Sequence, residues 1–155
     1  MTAVLLQRAL CDKLRHITEH FMLNVPKSGV CAPHVHAGYL PQQQSGSENV
    51  SDFPYIIVRI LDGQDQDESI VRIKLLFGIF SRDDNGFVDV LNLMEKVRQS
   101  LLKDRVVDNR YRLELPYKWK LFEDQPYPEW IGEADTTWMI PTILEEDAAN
   151  REEFI

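Results

Sequence analysis

Cys31, His34 and His36, within the run CAPHVHAG, come nearest to a metal-ligand set, since thiolate and imidazole are the usual ligands of zinc. A structural zinc site takes four ligands, and the remaining sulfur and imidazole groups are Cys11, His16 and His20. His16 and His20 stand four residues apart, so on a helix they face one side, a geometry open to a metal pair. No HExxH arrangement accompanies them, and the C-x-x-H-x-H spacing belongs to no strong metal motif. Solvent-exposed loop histidines are the plainer reading, and no metal or cofactor is expected. Asp62, Asp65, Asp67 and Glu68 cluster in a hydrophilic stretch, but the EF-hand spacing with its closing Glu is missing, which favours a solvated turn over a calcium loop. There is no Gly-rich phosphate loop, nucleophile elbow or paired-cysteine motif. A carboxylate pair for acid–base work is not signalled. No catalytic residue is assigned, and the chain is not expected to be an enzyme.

The elements that must position these residues are read from periodicity. Leu6, Leu10, Leu14, Ile17 and Phe21 recur at three- and four-residue steps and predict an amphipathic helix from about Thr2 to Phe21, closed off before Pro26. From Lys27 to Asp52 the composition turns to Pro, Gly, Gln and Ser with almost no periodic apolar signal, which predicts a long loop. Phe53–Asp62 and Ile70–Phe80 read as two strands of a hairpin. The acidic connection Asp62–Glu68 is expected to project into water or toward a basic partner. Phe87, Val90, Leu91, Met94, Val97 and Leu101 mark a second helix, from about Phe87 to Leu102. Tyr111, Leu113 and Leu115 then alternate with charged residues, and Thr136–Ile143 reads as a last strand, with Pro116 and Pro141 at strand ends or sheet edges. The expected fold is α+β: a mostly antiparallel sheet with two main helices packed on one face. It forms a single domain over residues 1–144 with a long loop at 27–52, followed by an acidic tail at 145–155.

Composition sets the wider bounds. With 155 residues, 44% of them apolar, the chain has the material for one ordinary domain with a buried core. Two cysteines are too few for a disulfide framework, and charged residues soon interrupt the apolar N-terminus, so a reducing, cytoplasmic setting without a membrane anchor is expected. A net charge of −8 argues against binding the phosphate backbone of nucleic acid, which needs clustered Lys and Arg. Tyr117, Trp119, Phe122, Tyr127, Trp130 and Trp138 crowd into a region interrupted by Pro116, Pro126 and Pro128, which reads as an irregular link before the last strand. Trp119 and Trp138 are expected in the core. Tyr127 and Trp130, in the run Tyr-Pro-Glu-Trp, are expected to anchor a subunit interface.

Three runs carry a resemblance: FPYIIVRILDG; IVRIKLLFGIFSRDDNGFVDVLNLMEKVRQSLL; and NRYRLELPYKWKLFEDQPYPEWIGEADTTWMIP. Together, from Phe53 to about Ile143, they resemble the tail terminator and neck (tail completion) proteins of long flexible-tailed bacteriophages and prophages. The resemblance implies a structural, non-catalytic subunit that closes into a ring, expected to be a hexamer, at the head-proximal end of the tail tube. Its implied partners are further copies of itself, the tail tube protein and a head-completion or connector protein. DNA would pass through without specific binding, and the location would be the virion, after assembly in the bacterial cytoplasm. On this reading Asp62, Asp65, Asp67, Glu68, Tyr127 and Trp130 are interface residues. Two other classes stand beside it: a small metal-dependent enzyme built on Cys31, His34 and His36, and an acidic inhibitor that imitates nucleic acid.

Overall fold

Leu6, Leu10 and Leu14 return every four residues, and in the computed structural model, which describes residues 2–41 and 52–146, they form the buried stripe of helix α1 (Thr2–Thr18). Cys11 and Thr18 share that stripe. The Thr18 hydroxyl donates back to the Leu14 carbonyl at 2.8 Å, and the helix ends there, short of Phe21. A second stripe of Val90, Leu93, Met94, Val97 and Leu101 belongs to helix α2 (Gly86–Lys103). Lys13 ties the two helices together, donating to the carbonyls of Asp104 at 2.8 Å and Val106 at 3.1 Å.

Both helices cover one face of a six-stranded sheet. Its strands are β3 (His34–Ala37), β4 (Tyr55–Asp65), β5 (Ser69–Phe80), β6 (Val106–Val107), β7 (Tyr111–Leu121) and β8 (Glu129–Ile140), in the order β3-β4-β5-β8-β7-β6. Every pairing is antiparallel except β3 with β4. The fold is therefore the expected α+β arrangement. Period-2 alternation sends Val71, Ile73, Leu75, Phe77 and Ile79 of β5 into the helix-side core. Opposite them on β8 lie Trp138, Thr136, Ala134, Gly132 and Trp130. Gly132 matters here, because a Cβ on it would meet the Met94 sulfur at 2.4 Å; α2 can lie this close only over a bare backbone. On the open face a smaller cluster of Phe53, Tyr55, Ile57 and Phe80 covers one end of the sheet. It explains why Tyr55–Val58 is buried on both faces while β4 becomes exposed from Leu61 onward.

Two expectations change. The segment 27–52 is not all loop: β1 (Leu23–Asn24) pairs with β2 (Val30–Cys31), and β3 adds to the main sheet alongside β4. Only Val35 of β3 points into the core, too short a pattern to stand out in sequence. Residues 42–51, and the acidic tail from residue 147, lie outside the described residues. The link after Pro116 is not irregular, because β7 runs on through that proline and β8 starts at Glu129, making a second long hairpin. Pro116 is tolerated because it sits in a register shift between Glu114 and Lys118, on the stretch of β7 that β6 leaves unpaired beyond Arg112. Strand β8 ends at Ile140, just before Pro141, as proline chemistry predicts.

Candidate interaction surfaces

The β4–β5 hairpin carries the acidic residues singled out above. Asp62 is not in the turn but in the ladder, where it is paired with Arg72. Arg72 Nε donates to Asp62 Oδ1 at 2.6 Å, and Arg72 Nη2 donates to Oδ2, a bidentate fork. That hydrogen bonding holds the Asp62 carboxyl below the usual carboxylate range. Asp65 closes the ladder opposite Ser69, and Asp67 and Glu68 lie in the turn. Residues from Leu61 to Glu68 are all exposed, so the acidic end of this arm stands in solvent.

At the other end of the sheet an aromatic corner forms. Trp130 is 9% exposed and donates from Nε1 to the Ser81 carbonyl at 2.9 Å. It sits between Tyr127, edge-on at 6.0 Å between ring centroids, and Phe87 at 6.4 Å. Tyr127 is 54% exposed, and its hydroxyl donates to the Arg82 carbonyl at 2.7 Å. The Ser81 amide donates to the Pro128 carbonyl at 2.9 Å, so the β7–β8 turn is strapped to the start of α2. Trp130 is thus a support beneath the corner, not a surface anchor, because its ring fills space that the core must close. Tyr127, Phe87 and Val88 present the outer surface. The hairpin tip and this corner are not brought together: Ser69 opens β5 at the tip and Phe80 ends it at the corner.

Between them, the open face carries a charge lattice. Glu133 is buried and accepts from Lys74 at 2.9 Å and from Lys120 at 3.0 Å, with Asp135 at 3.8 Å from Lys74. Burial pushes the Glu133 carboxyl up, but the two lysines' hydrogen bonds and charges outweigh it and hold the group below its usual value of 4.5. A carboxyl depressed in the folded state contributes stability above that value, and the contribution is lost as pH falls through the lower folded one. Glu133→Gln should therefore cost about 1–2 kcal/mol near neutral pH. The gap to the parent chain should narrow in acid, as urea unfolding midpoints at about pH 7 and about pH 3 would read.

The sulfur and imidazole groups do not converge. Cys31 Sγ lies 3.9 Å from His34 Nε2, and the His34 and His36 rings are 6.5 Å apart. His16 and His20 both reach Glu19, and Cys11 is buried on the core side of α1, where desolvation pushes its thiol up. Among the described residues no three His, Cys, Asp or Glu side chains gather into a metal-holding group. Burial, with His34 nearby, lowers the affinity of His36 for a proton, and its buried Nε2 finds no hydrogen-bond partner among the described residues. Among those residues, too, no helix is long and apolar enough to cross a membrane.

Trp119, too, is placed differently from expectation. Trp138 is fully buried, but Trp119 is 53% exposed and lines a cavity of about 210 Å³ with Leu91, Met94, Glu95 and Arg98, between α2 and β7. Compared with known proteins, the chain matches no family model and no curated protein.

Proposed function

We propose that this chain is a tail terminator or neck protein of a long flexible-tailed bacteriophage or prophage, forming a ring that ends tail-tube growth and joins the tube to the head. The observation that carries the reading, beside the sequence resemblance, is that the two candidate contact surfaces sit at opposite ends of β5, about 35–40 Å apart by strand geometry. A ring subunit stacked between a tube and a head-completion protein needs this: one surface above, another below, and a rigid sheet holding them apart. The acidic arm suits a charge-complementary contact, and the Tyr127 corner suits a packed aromatic one. Nothing in this reading calls for catalysis, a cofactor or a membrane.

Immunogold electron microscopy of virions or induced prophage particles tests it. Label confined to the head–tail junction is expected, and particles with complete tails that carry no label would sink the proposal. Asp65→Lys with Asp67→Lys reverses the charge of the arm at two exposed positions, away from the Asp62–Arg72 fork. It should leave folding intact and reduce joined particles on the order of tenfold, since like charges brought together across an interface cost several kcal/mol. Unchanged particle yield would remove the arm from the interface.

A further inference from the structure

The main sheet has two stretches of edge that no strand among the described residues covers. On one side β3 pairs with β4 only as far as Val58, and Arg59 Nε donates to the Gly38 carbonyl at 3.0 Å where that cover stops, which leaves the outer backbone of residues 60–65 open. On the other side β6 pairs with β7 at Tyr111 and Arg112, and residues 113–121 are open. Such edges are templates for a further strand. Strands β4, β5, β8 and β7 alternate in direction, so β7 of one copy and β4 of a second copy in the same orientation run antiparallel. Two open edges on opposite sides of one sheet make a head-to-tail joint, the kind that closes into a ring.

The two edges also differ in charge. Residues 59–68 carry Asp62, Asp65, Asp67 and Glu68 against Arg59, whereas β7 carries Arg112, Lys118 and Lys120 against Glu114. Asp62 has room for a second cation, since the Arg72 fork takes one lone pair from each carboxylate oxygen.

Register decides whether these charges meet. A level joint fails: it puts Gln64 on Arg112, which β6 already holds, and it sets Asp62 against Glu114 and Arg59 against Lys118. Sliding the second copy by four rungs of β8, about 13–14 Å, brings Asp62 opposite Lys120 and diagonal to Lys118, all on the open face. With Leu61 left in its bulge, Ile60 then meets Leu121, and Gly63 lies beside the exposed Trp119, an aromatic ring over bare backbone. Every residue of that joint belongs to an open stretch, and a fixed stagger is what closing a sheet requires.

We propose that residues 60–65 of one copy add to residues 117–121 of the next, with Asp62 seated between Lys118 and Lys120, so that the sheets of successive copies run on as one. This deepens the ring reading and rests on it for the closed number of copies. The joint is lateral, and it leaves the turn at Asp67 and Glu68 and the Tyr127 corner free for the neighbours above and below.

Disulfide trapping between two variants of the full chain tests the joint. Antiparallel partners stand about 4.5–5.5 Å apart at Cα, within reach of a disulfide, whereas inside one copy Asp62 and Lys120 are three strand spacings apart, about 14 Å. Cys31, the half-exposed native thiol, is replaced by Ser in both variants, and Cys11 is buried. Under mild oxidation an Asp62→Cys chain mixed with a Lys120→Cys chain should give mostly the mixed dimer, and a chain bearing both cysteines a ladder of multimers. Lys118→Glu with Lys120→Glu should weaken self-association on the order of tenfold in sedimentation velocity, because it sets carboxylates against Asp62. All these positions are exposed, so the variants keep their fold, and near-ultraviolet circular dichroism verifies that. Mixed dimers no more abundant than homodimers overturn the proposal, as does an Asp62→Cys chain that links better to a Glu114→Cys chain, its level partner. Failed trapping beside label at the head–tail junction removes this joint and leaves the ring reading standing.

Discussion

Trp138→Ala should destabilise the chain by about 3–5 kcal/mol, the usual cost of removing a buried aromatic side chain and leaving its cavity. Trp138 is fully buried, paired with Val71 on one side and Leu113 on the other, at the middle of the helix-side core. Its Nε1 donates to the Thr136 hydroxyl oxygen at 2.8 Å, and that hydroxyl donates to the Ile73 carbonyl at 2.7 Å. The alanine variant loses both the packing and the relay. Trp138→Phe keeps most of the volume and separates the two, so it should fall between parent and alanine. Against a total stability of about 5–15 kcal/mol, the alanine loss is large enough for urea titration to read directly. A shift below about 1 kcal/mol would show that the core collapses around the gap.

Gly86→Ala is the second large effect. The new methyl would stand 2.2 Å from Trp130 Nε1, so the indole must leave its place and give up its hydrogen bond to the Ser81 carbonyl. Overpacking of this kind costs about 1–3 kcal/mol. The displaced ring also removes the support under Tyr127, and the corner loosens along with the fold. A compensating Trp130→Leu in the same chain should recover part of the loss, a coupling that a double-mutant cycle measures. If the two changes simply add, the contact between them is not the cause.

The two helices and the first hairpin were legible because each buries one face against a single core, and periodicity of 3.6 or 2 follows directly from that. The second hairpin was not. Midway along the helix side of β8, between Trp130 and Trp138, stand Gly132, Ala134 and Thr136, with Gly132 bare because Met94 lies over it. On the open side Glu133 and Asp135 meet lysines, so neither face shows a continuous run of large apolar residues. Pro116 added punctuation where the ladder in fact continues on both sides of a register shift, while Pro126 and Pro128 fall in the connection between β7 and β8. Trp130 and Trp119 exchanged their expected places for the same reason. A tryptophan's burial depends on which element lies over it, and the path of α2 across the sheet is a tertiary fact. The candidate acidic residues were placed at an exposed hairpin end as expected, although Asp62 proved to be a ladder residue with its own cation.

The unbroken β5–β8 ladder bears on how the chain reaches this state. Ser69 through Phe80 meets Ile140 through Glu129 at every rung, so the central pairing of the sheet joins segments separated by α2 and all of β7. Each hairpin needs only a short loop to close, whereas this ladder needs a long one, and its closure entropy must be met before any of its contacts is gained. The two hairpins and α2 are therefore early, local structures, and their docking along β5 and β8 is the slow event. Until it occurs, the facing edges of both hairpins are open, and unpaired strand edges of this kind are where association between chains competes with folding.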